Sequence, residues 1–281
     1  MTSFELSRRA APSLIVRDSA GSTNADLASE VRALDATGSI TPDFTTIITE
    51  NQTAGRGRLD RSWIAPAGSS LATSVLVRTD GVMVDGGIVD GGMAGGGIAV
   101  ETLGWLPLVA GLAMARAVDA VLPDAPGRAG LKWPNDVEID GQKVCGILCE
   151  LIPGSGVIVG AGLNVLMTPE QLPVPTATSL AIAGAQADAT LPDRALAAYL
   201  TALQSLVHRF RDARGDAQAS GLRDEVVARC STIGRQVRVE LPAGSALHGT
   251  AVGIDHEGRL EVRDESNTVH AVAAGDIIHL R

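Results

Sequence analysis

The chain has 281 residues, of which 45% are hydrophobic and 2% aromatic, and its formal net charge at pH 7 is -9. This length accommodates one large domain, or one of about 200 residues followed by a small one. Because phosphate contacts require a basic face, the negative charge argues against a general binder of nucleic acids or membrane surfaces. A local cluster of positive charge is better suited to a small anionic ligand.

The spacing of cysteines and histidines excludes several kinds of site. Cys145, Cys149 and Cys230 provide no disulfide framework and no CxxC metal pair, and we expect the first two to be buried apolar residues. The five histidines lack zinc-binding spacing. The most apolar segment, residues 102–115, has 14 uncharged residues, too few to span a bilayer, and we find no signal peptide. These features predict a cytoplasmic protein.

The first half of the chain predicts strands that flank an arginine-rich loop. "SLIVRDSAGSTNADLASEVRAL" predicts a strand, a turn and a helix that begins near residues 22–24, where Thr23 and Asp26 resemble a capping box. "FTTIITENQ" and "SSLATSVLVR" predict the strands before and after the loop. Residues 81–97, "GVMVDGGIVDGGMAGGG", predict a mobile surface insertion, since glycine-rich chain loses much entropy on ordering.

The next segments predict a buried helix and a set of buried strands. "LGWLPLVAGLAMARAVDAVL" has a single apolar stripe at helical spacing. "LKWPNDVEIDGQKVCGILCELI" predicts two short strands around a Pro-Asn-Asp turn, then an Asp140-Gly141 hairpin turn and an apolar strand. "GVIVGAGLNVLM" predicts another strand, in which Gly160 and Gly162 mark a close approach to the backbone. Residues 192–210 predict a helix over the sheet. The stripe consists of Leu106, Val109, Ala110, Ala113, Met114, Ala117 and Val121.

The predicted secondary structure changes near Ile233, after which short strands of alternating apolar and polar residues are separated by turns every 8 to 12 residues. This pattern is typical of a small barrel. We therefore predict an α+β domain over residues 1–230 and a β-barrel over residues 231–281.

The stretch "ENQTAGRGRLDRSW" contains Arg56, Arg58 and Arg61 among glycines at 55 and 57. Glycines permit a concave nest of amide donors, and arginine matches phosphate or carboxylate geometry with two parallel hydrogen bonds. The stretch predicts a loop that closes when an anion neutralises it. The alternative is a solvated arginine-rich turn.

Two further motifs have a functional and an ordinary interpretation. Asn135 and Asp136 follow a proline at the end of a strand, where polar groups contact ligands but also simply form turns. Lys143 begins an apolar strand, from which its ammonium either points into a site or extends harmlessly into solvent. Gly146 leaves room for a ligand beside the same strand.

The order and spacing of five motifs resemble those of the biotin protein ligases. The motifs are STN (22–24), QTAGRGRLDRSW (52–63), LKWPNDV (131–137), KVCGILCE (143–150) and VGAGLNV (159–165). The C-terminal "GRQVRVELP" and "GDIIHLR" are similar to that family's SH3-like barrel. The resemblance implies an α+β fold with a mixed sheet, related to class II aminoacyl-tRNA synthetases.

The resemblance also implies the reaction. Biotin and ATP give biotinyl-5′-AMP and pyrophosphate, with Mg²⁺ on the phosphates, and the biotinyl group then passes to one lysine of a biotin carboxyl carrier domain of acyl-CoA carboxylases. Positive charge is required because an anionic carboxylate must approach an anionic α-phosphate. The implied catalytic residues are Lys143, Arg58 and Asp136, the last near the acceptor lysine or the metal.

The family motifs imply two sets of binding residues. The biotin set is Ser22, Thr23, Asn24, Gln52, Arg56, Gly57, Arg58 and Lys143, with the first three on the ureido ring. The ATP and adenylate set is Arg56, Arg58, Trp63, Lys132, Asn135, Lys143 and Asn164. Trp63 packs on the adenine or anchors the loop, and plain core packing is the alternative.

Some features depart from the family pattern. Asp60 lies where the family more often has glycine, so we do not infer the motion of this loop from the family. Only about 12 residues precede the first predicted strand, which leaves no room for a repressor's helix-turn-helix, and we expect no DNA binding. A lipoate-protein ligase of the same fold and a nonenzymatic binding module are the alternatives.

Overall fold

The computed structural model describes residues 2–11, 13–59, 61–79, 83–84, 87–88, 97–123, 127–240, 246–273 and 275–280. Asp60 and most of the predicted insertion at 81–97 lie outside the described residues. The predictions made for them therefore stay predictions.

The described residues form five α-helices and sixteen strands. The helices are α1 (Glu5–Ala10), α2 (Thr23–Asp35), α3 (Leu106–Val121), α4 (Leu191–Asp212) and α5 (Leu222–Arg229). The first eight strands are β1 (Leu14–Arg17), β2 (Thr46–Thr49), β3 (Gly55–Arg56), β4 (Ser62–Trp63), β5 (Ser70–Val77), β6 (Met83–Val84), β7 (Gly87–Ile88) and β8 (Ala129–Lys132). The others are β9 (Asp136–Ile139), β10 (Gln142–Ile152), β11 (Gly156–Asn164), β12 (Gln236–Glu240), β13 (Ala246–Ile254), β14 (Leu260–Arg263), β15 (Val269–Val272) and β16 (Asp276–His279). Short 3₁₀ helices cover Val100–Trp105 and Pro169–Gln171.

A seven-stranded mixed sheet forms the larger part of the protein. Its order is β1-β2-β5-β11-β10-β9-β8, with β1 parallel to β2 and the other neighbours antiparallel. Successive strand residues point to opposite faces, so Ile48 packs in the main core with α3 and α4, whereas Ile47 packs in a second cluster with Leu27 and Val31 of α2. Helices therefore cover both faces, and the predicted α+β fold is confirmed.

The apolar helix α3 lies in the centre of the protein. Every member of the predicted stripe is buried. The preceding 3₁₀ turn extends this segment to Val100–Val121, which is 22 residues long and by length and composition alone could cross a membrane. This helical segment is longer than the uncharged run of 14 residues at 102–115 because it includes the charged residues Glu101, Arg116 and Asp119. Because 72% of the apolar window is buried inside the protein, the segment is a core helix.

The C-terminal strands form a separate five-stranded antiparallel sheet in the order β15-β14-β13-β12-β16. In the part of the chain that the structure describes, the two edge strands β15 and β16 are not paired with each other, so the strands form an open sheet rather than a closed barrel. The indole Nε1 of Trp133 donates to the Gly258 carbonyl at 3.1 Å, and that of Trp105 donates to the His256 carbonyl at 3.0 Å. These bonds join the loop between β13 and β14 to the larger part of the protein, while the boundary at residues 230 and 231 stays a prediction.

The three cysteines are free thiols in the packed interior. Cys145 and Cys230 are buried and Cys149 is half-buried. Burial raises the pKa of the Cys149 thiol to about 12. These thiols stay protonated near neutral pH and behave as the apolar core residues that the sequence predicts.

Candidate active site

A cavity of about 450 Å³ lies between the start of α2, the arginine loop, the β8–β9 turn and the face of β10 and β11. Every predicted site residue lines it except Asn164. The chain contains two lysines, Lys132 and Lys143, and both line this cavity. Glu240, Ile277 and Ile278 of the C-terminal sheet complete its wall.

The first wall is the N-terminus of α2. Ser22 is the helix cap, and its hydroxyl accepts from the Ala25 amide at 3.5 Å. The predicted capping box on Thr23 and Asp26 was wrong by one position, because Thr23 is already the first helical residue. Its amide and hydroxyl instead donate to Oε1 of Gln52 at 2.9 and 3.2 Å. The helix start is therefore joined to the strand end that precedes the loop.

A buried hydrogen-bond chain orients these polar groups. Ser74 Oγ lies 2.7 Å from Thr23 Oγ1 and donates to Asn24 Oδ1 at 2.6 Å. The Asn24 amide nitrogen donates to the Leu148 carbonyl at 3.2 Å and to Glu150 Oε2 at 2.5 Å. Asn24 is 5% exposed, so its orientation is set by these partners.

Three glycines make the floor of the cavity. A Cβ at Gly160 would lie 2.3 Å from Asn24 Oδ1, and a Cβ at Gly162 would lie 2.6 Å from Cε2 of Trp63. At Gly146 it would meet the Lys143 side chain and the Trp63 ring at 3.3 Å. The predicted close approach at Gly160 and Gly162 is therefore confirmed, and the approaching groups are side chains of the site itself.

The arginine loop is a short hairpin of β3 and β4. The Gly57 amide donates to the Arg61 carbonyl at 2.6 Å, which closes the turn. Arg58 Nη1 donates to Asn135 Oδ1 at 3.2 Å, and Asn135 Nδ2 donates to the Ile147 carbonyl at 2.7 Å. These contacts bring the loop onto the Pro-Asn-Asp turn, although the two motifs are far apart in sequence.

Lys143 lies beside that turn. Its Nζ is 2.7 Å from Asp136 Oδ1 and 5.8 Å from the centroid of the Trp63 ring. The register between β9 and β10 shifts between Lys143 and Cys145, which interrupts the alternation and re-aims the lysine at the strand's start. Its side chain is 35% exposed. The ammonium therefore lies in the cavity rather than in open solvent.

Lys132 lies at the boundary between the cavity and the C-terminal sheet. Its Nζ is 3.9 Å from Oε1 of Glu138, whose Oε2 accepts from Ser231 Oγ at 3.1 Å. Burial raises the pKa of the Glu138 carboxyl, and the Lys132 charge opposes that shift.

Asn164 lies outside the cavity. Its side chain is buried, and its Nδ2 donates to the Thr178 carbonyl at 2.9 Å. The contacts that the structure gives Asn164 stabilise the chain crossing after β11, and none involves the site.

Sequence reasoning missed three groups of residues. Ser74 lies in an ordinary strand pattern, and Glu240 and Ile277 lie in the C-terminal sheet, so no local signal marked any of them. Glu150 did have a signal, because it lies on the same strand face as Gly146 and Leu148, which are four and two residues earlier.

The residues present suit Mg²⁺ only as an ion carried with phosphates. No group of three or more His, Cys, Asp or Glu side chains that could hold a metal occurs among the described residues. Asp136 and Glu240 are the carboxylates that the described part of the cavity wall contains. Mg²⁺ normally keeps waters and substrate phosphates as ligands beside one or two carboxylates, so one protein carboxylate suffices.

Together these groups divide the cavity by chemistry. Neutral donors and acceptors on Thr23, Asn24 and Gln52 suit a polar, uncharged ring. Arg56, Arg58 and the two lysines suit anions at the other side. This combination can bind a molecule with an uncharged polar head and an acidic tail next to a phosphate group.

Comparison with known protein families agrees with this division. Residues 37–164 match the Biotin/lipoate A/B protein ligase family, and residues 232–280 match the Biotin protein ligase C terminal domain. The second match covers the five-stranded sheet whose residues close the cavity.

Individual relatives resemble the chain over most of its length. The biotin–[acetyl-CoA-carboxylase] ligase of Mycobacterium tuberculosis is 40% identical over 263 residues, which cover 93% of this chain and 86% of that protein. The enzyme of the same name from Paracoccus denitrificans is 31% identical, over 77% of this chain and 83% of that protein. The fold is similar to that of the biotin protein ligase from Aquifex aeolicus in complex with biotin and ATP, with a TM-score of 0.70 and 24% identity over 95% of this chain and 98% of that one.

Proposed function

The chain belongs to the biotin protein ligases, and on that premise we propose a role for each side of the cavity. The enzyme activates biotin with ATP and transfers it to a lysine of an acceptor protein. The observation that carries the assignment of roles is the convergence of the polar α2 start, the arginine loop and both lysines on one cavity.

The neutral side binds the ureido ring of biotin. Ser22, Thr23 and Asn24 provide donors and acceptors at the helix start, and Gln52 lies next to them. The ring is uncharged, so hydrogen bonds of fixed direction discriminate better than charge. The bond that Asn24 accepts from Ser74 and the bond that it donates to Glu150 hold its amide in one orientation before the ligand enters.

The cationic side carries the adenylation. A biotin carboxylate oxygen attacks the α-phosphorus of ATP, the bond to the β-phosphate oxygen breaks, and pyrophosphate leaves. Arg56, Gly57 and Arg58 surround the carboxylate and phosphate, and Lys143 donates to the oxygens on which charge accumulates. Asp136 would be the protein ligand of Mg²⁺, and the bound ion would neutralise further charge on the phosphates.

The transfer step needs a neutral amine from the acceptor. The acceptor lysine attacks the acyl carbon of the adenylate, the acyl–oxygen bond breaks, and AMP leaves. Asp136 lines the cavity paired with Lys143, where it can accept hydrogen bonds from the incoming amine. We place Trp63 as the anchor of the closed loop, because its indole already covers Gly162.

Other parts of the assignment rest on the relatives. The names of two relatives give acetyl-CoA carboxylase as their acceptor, and we propose that this chain modifies the biotin carboxyl carrier domain of such an acyl-CoA carboxylase. The enzyme acts in the cytoplasm, where that acceptor and ATP occur. Lys132 and Asn135, which line the cavity, contact the nucleotide, whereas Asn164 lies outside the cavity and has no part in the proposed nucleotide site.

One assay tests the function directly. The purified chain is incubated with labelled biotin, ATP, Mg²⁺ and a biotin carboxyl carrier domain, and transfer to the carrier is followed on a gel. We expect labelling that requires ATP and the acceptor lysine. Lipoate in place of biotin is the control, because the family matched by residues 37–164 includes both kinds of ligase. Transfer of lipoate without transfer of biotin would contradict the proposal.

A further inference from the structure

Glu150 connects the two chemically different sides of the cavity. It lies on β10 in phase with Leu148, which lines the cavity, and although Glu150 is not itself a lining residue, its carboxylate contacts the lining residues Asn24 and Arg56. Its Oε2 accepts from Asn24 Nδ2 at 2.5 Å, and Arg56 Nη2 lies 3.2 Å from its Oε1 and donates to its Oε2 at 3.4 Å. One carboxylate thus contacts a group assigned to the neutral ring and a group assigned to the anions.

The Arg56 pair resembles the interaction that a substrate anion makes. A guanidinium binds a carboxylate or a phosphate through the same donors. Arg56 therefore cannot direct those donors fully to a substrate while Glu150 accepts them. The Arg56 and Glu150 side chains are 51% and 32% exposed, so the pair is weak enough to exchange.

The bond to Asn24 is of a different kind. Asn24 is buried, and its amide oxygen already accepts from Ser74. Without Glu150, the amide nitrogen keeps only the longer bond to the Leu148 carbonyl, at 3.2 Å. An amide with weaker partners loses the fixed orientation that an uncharged ligand requires.

We propose that Glu150 is a positioning residue with two separable effects on biotin binding. The Oε2 atom, as an acceptor, orients Asn24 for the uncharged ring, and the negative charge of the carboxylate, acting through both oxygens, holds Arg56 until the acid group of the ligand competes for it. This inference rests on the proposed function. It predicts that the charge of Glu150 weakens the binding of acidic ligands selectively. The acceptor oxygen of Glu150, in contrast, strengthens the binding of every ligand that contacts Asn24.

Two substitutions separate the effects. Glu150→Gln retains an oxygen that can accept from Asn24 but removes the charge that attracts Arg56. Glu150→Ala removes both. Calorimetry is performed with biotin and with biotinol, in which an uncharged alcohol replaces the carboxylate.

The expected changes differ between variants and ligands. Glu150→Gln binds biotin roughly twofold to fivefold more tightly, as expected for loss of a competing exposed pair, and binds biotinol as the wild type does. Glu150→Ala binds biotinol roughly tenfold more weakly, because Asn24 loses its charged acceptor. The ratio of biotinol to biotin dissociation constants rises in both variants, and this ratio is independent of the folded fraction.

The outcomes distinguish this inference from the function beneath it. An unchanged ratio in Glu150→Gln, or equal weakening of both ligands in both variants, would overturn it and leave Glu150 with a purely structural role. If the wild type binds neither biotin nor biotinol, the proposed function fails instead. At high salt, the increase in biotin affinity of Glu150→Gln over the wild type is expected to be smaller, because screening already weakens the exposed Arg56–Glu150 pair in the wild type.

Discussion

Lys143 shows how one side chain acquires a role from its neighbours. Its Nζ lies 2.7 Å from Asp136, and the arginine loop contacts the adjacent Asn135. A single lysine at the edge of a strand is uninformative, but here it lies among groups to which we assign the binding of an acid and a phosphate. In the proposed mechanism its charge lies where the attacking and leaving oxygens develop charge.

Lys143→Ala is expected to bind biotin's ring and fail to activate its carboxylate. ATP–pyrophosphate exchange should fall by roughly a hundredfold to a thousandfold, the range for loss of one electrostatic stabiliser. Calorimetry should show biotin binding weakened by much less. Arg17→Ala is the control, because Arg17 forms an exposed ion pair with Glu30 outside the cavity wall. Normal exchange by Lys143→Ala would contradict its catalytic assignment.

Arg58→Gly is expected to release the activated intermediate. The substitution removes the bond to Asn135 and thereby frees the loop from the turn, so the adenylate escapes and reacts with unrelated amines. Labelling of a lysine-rich bystander protein should rise with Arg58→Gly and stay low with the wild type. The bystander is needed because the chain has only two lysines of its own. Unchanged specificity would count against the loop's protective role.

At the scale of elements, strand β11 provides space beside its backbone for two side chains, those of Asn24 and Trp63. Gly160 accommodates Asn24 and Gly162 accommodates the Trp63 indole, and both glycines lie on the same face of the strand. A side chain at either position would displace a group that belongs to the other wall of the cavity. Alternating glycine on this strand therefore determines the width of the site.

The two glycines are expected to affect different substrates. Gly160→Ala pushes Asn24 away and should weaken biotin binding at least tenfold, since the buried amide loses its partners. Gly162→Ala displaces the indole and should slow pyrophosphate exchange with a smaller effect on biotin affinity. Both effects are measured by calorimetry and exchange assays on the same preparations.

Gly21→Ala is the matched control for these variants. A Cβ at Gly21 meets nothing within 4 Å, so biotin affinity and exchange should be unchanged. Equal behaviour of all three variants would contradict the assignment of the two strand positions.

At the scale of the whole molecule, the C-terminal sheet closes the cavity and shares a polar junction with the larger sheet. Thr232 Oγ1 accepts from the Trp133 amide at 3.1 Å and lies 3.3 Å from His279 Nε2. Burial, together with the positive charges of Lys132 and Arg235, lowers the pKa of His279. The junction therefore disfavours the protonated form of the His279 imidazole.

The depressed pKa predicts a dependence of stability on acidity. Below the ordinary histidine pKa of about 6.5, the unfolded chain takes up a proton on this residue more readily than the folded chain does. With respect to this group, the free energy of unfolding is therefore highest above that pH and decreases as the pH falls. His279→Gln should reduce the loss of stability between pH 7 and pH 5 by up to about 1 kcal/mol, given partial exposure. Thermal unfolding at both pH values measures it.

Glu138 provides the internal comparison for this experiment. Burial raises the pKa of Glu138, so the folded chain takes up that proton before the unfolded chain and stability rises as the pH falls. Glu138→Gln should therefore steepen the loss of stability in acid, opposite to His279→Gln. The same sign for both variants would show that the junction does not act through these two protons.

Much of the fold and most of the site could be predicted from sequence because their causes are local. Helical spacing determined the buried stripe of α3. The Asp140-Gly141 turn was recognisable because both residues adopt positive φ, 51° and 80°, which this pair tolerates. The motif residues of the cavity were marked by unusual local chemistry, arginines among glycines and lysine in an apolar strand.

The rest was decided by contacts between distant parts of the chain. Asn24 and Glu150 are 126 residues apart in sequence and share a hydrogen bond of 2.5 Å, whereas Asn164 faces Thr178 rather than the cavity its motif predicted. Alternation along a strand indicates which side chains share a face, but it cannot say what packs against that face. The sequence by itself determined the charged groups and turns, and only tertiary packing determined which partners orient them, because those partners come from separate elements.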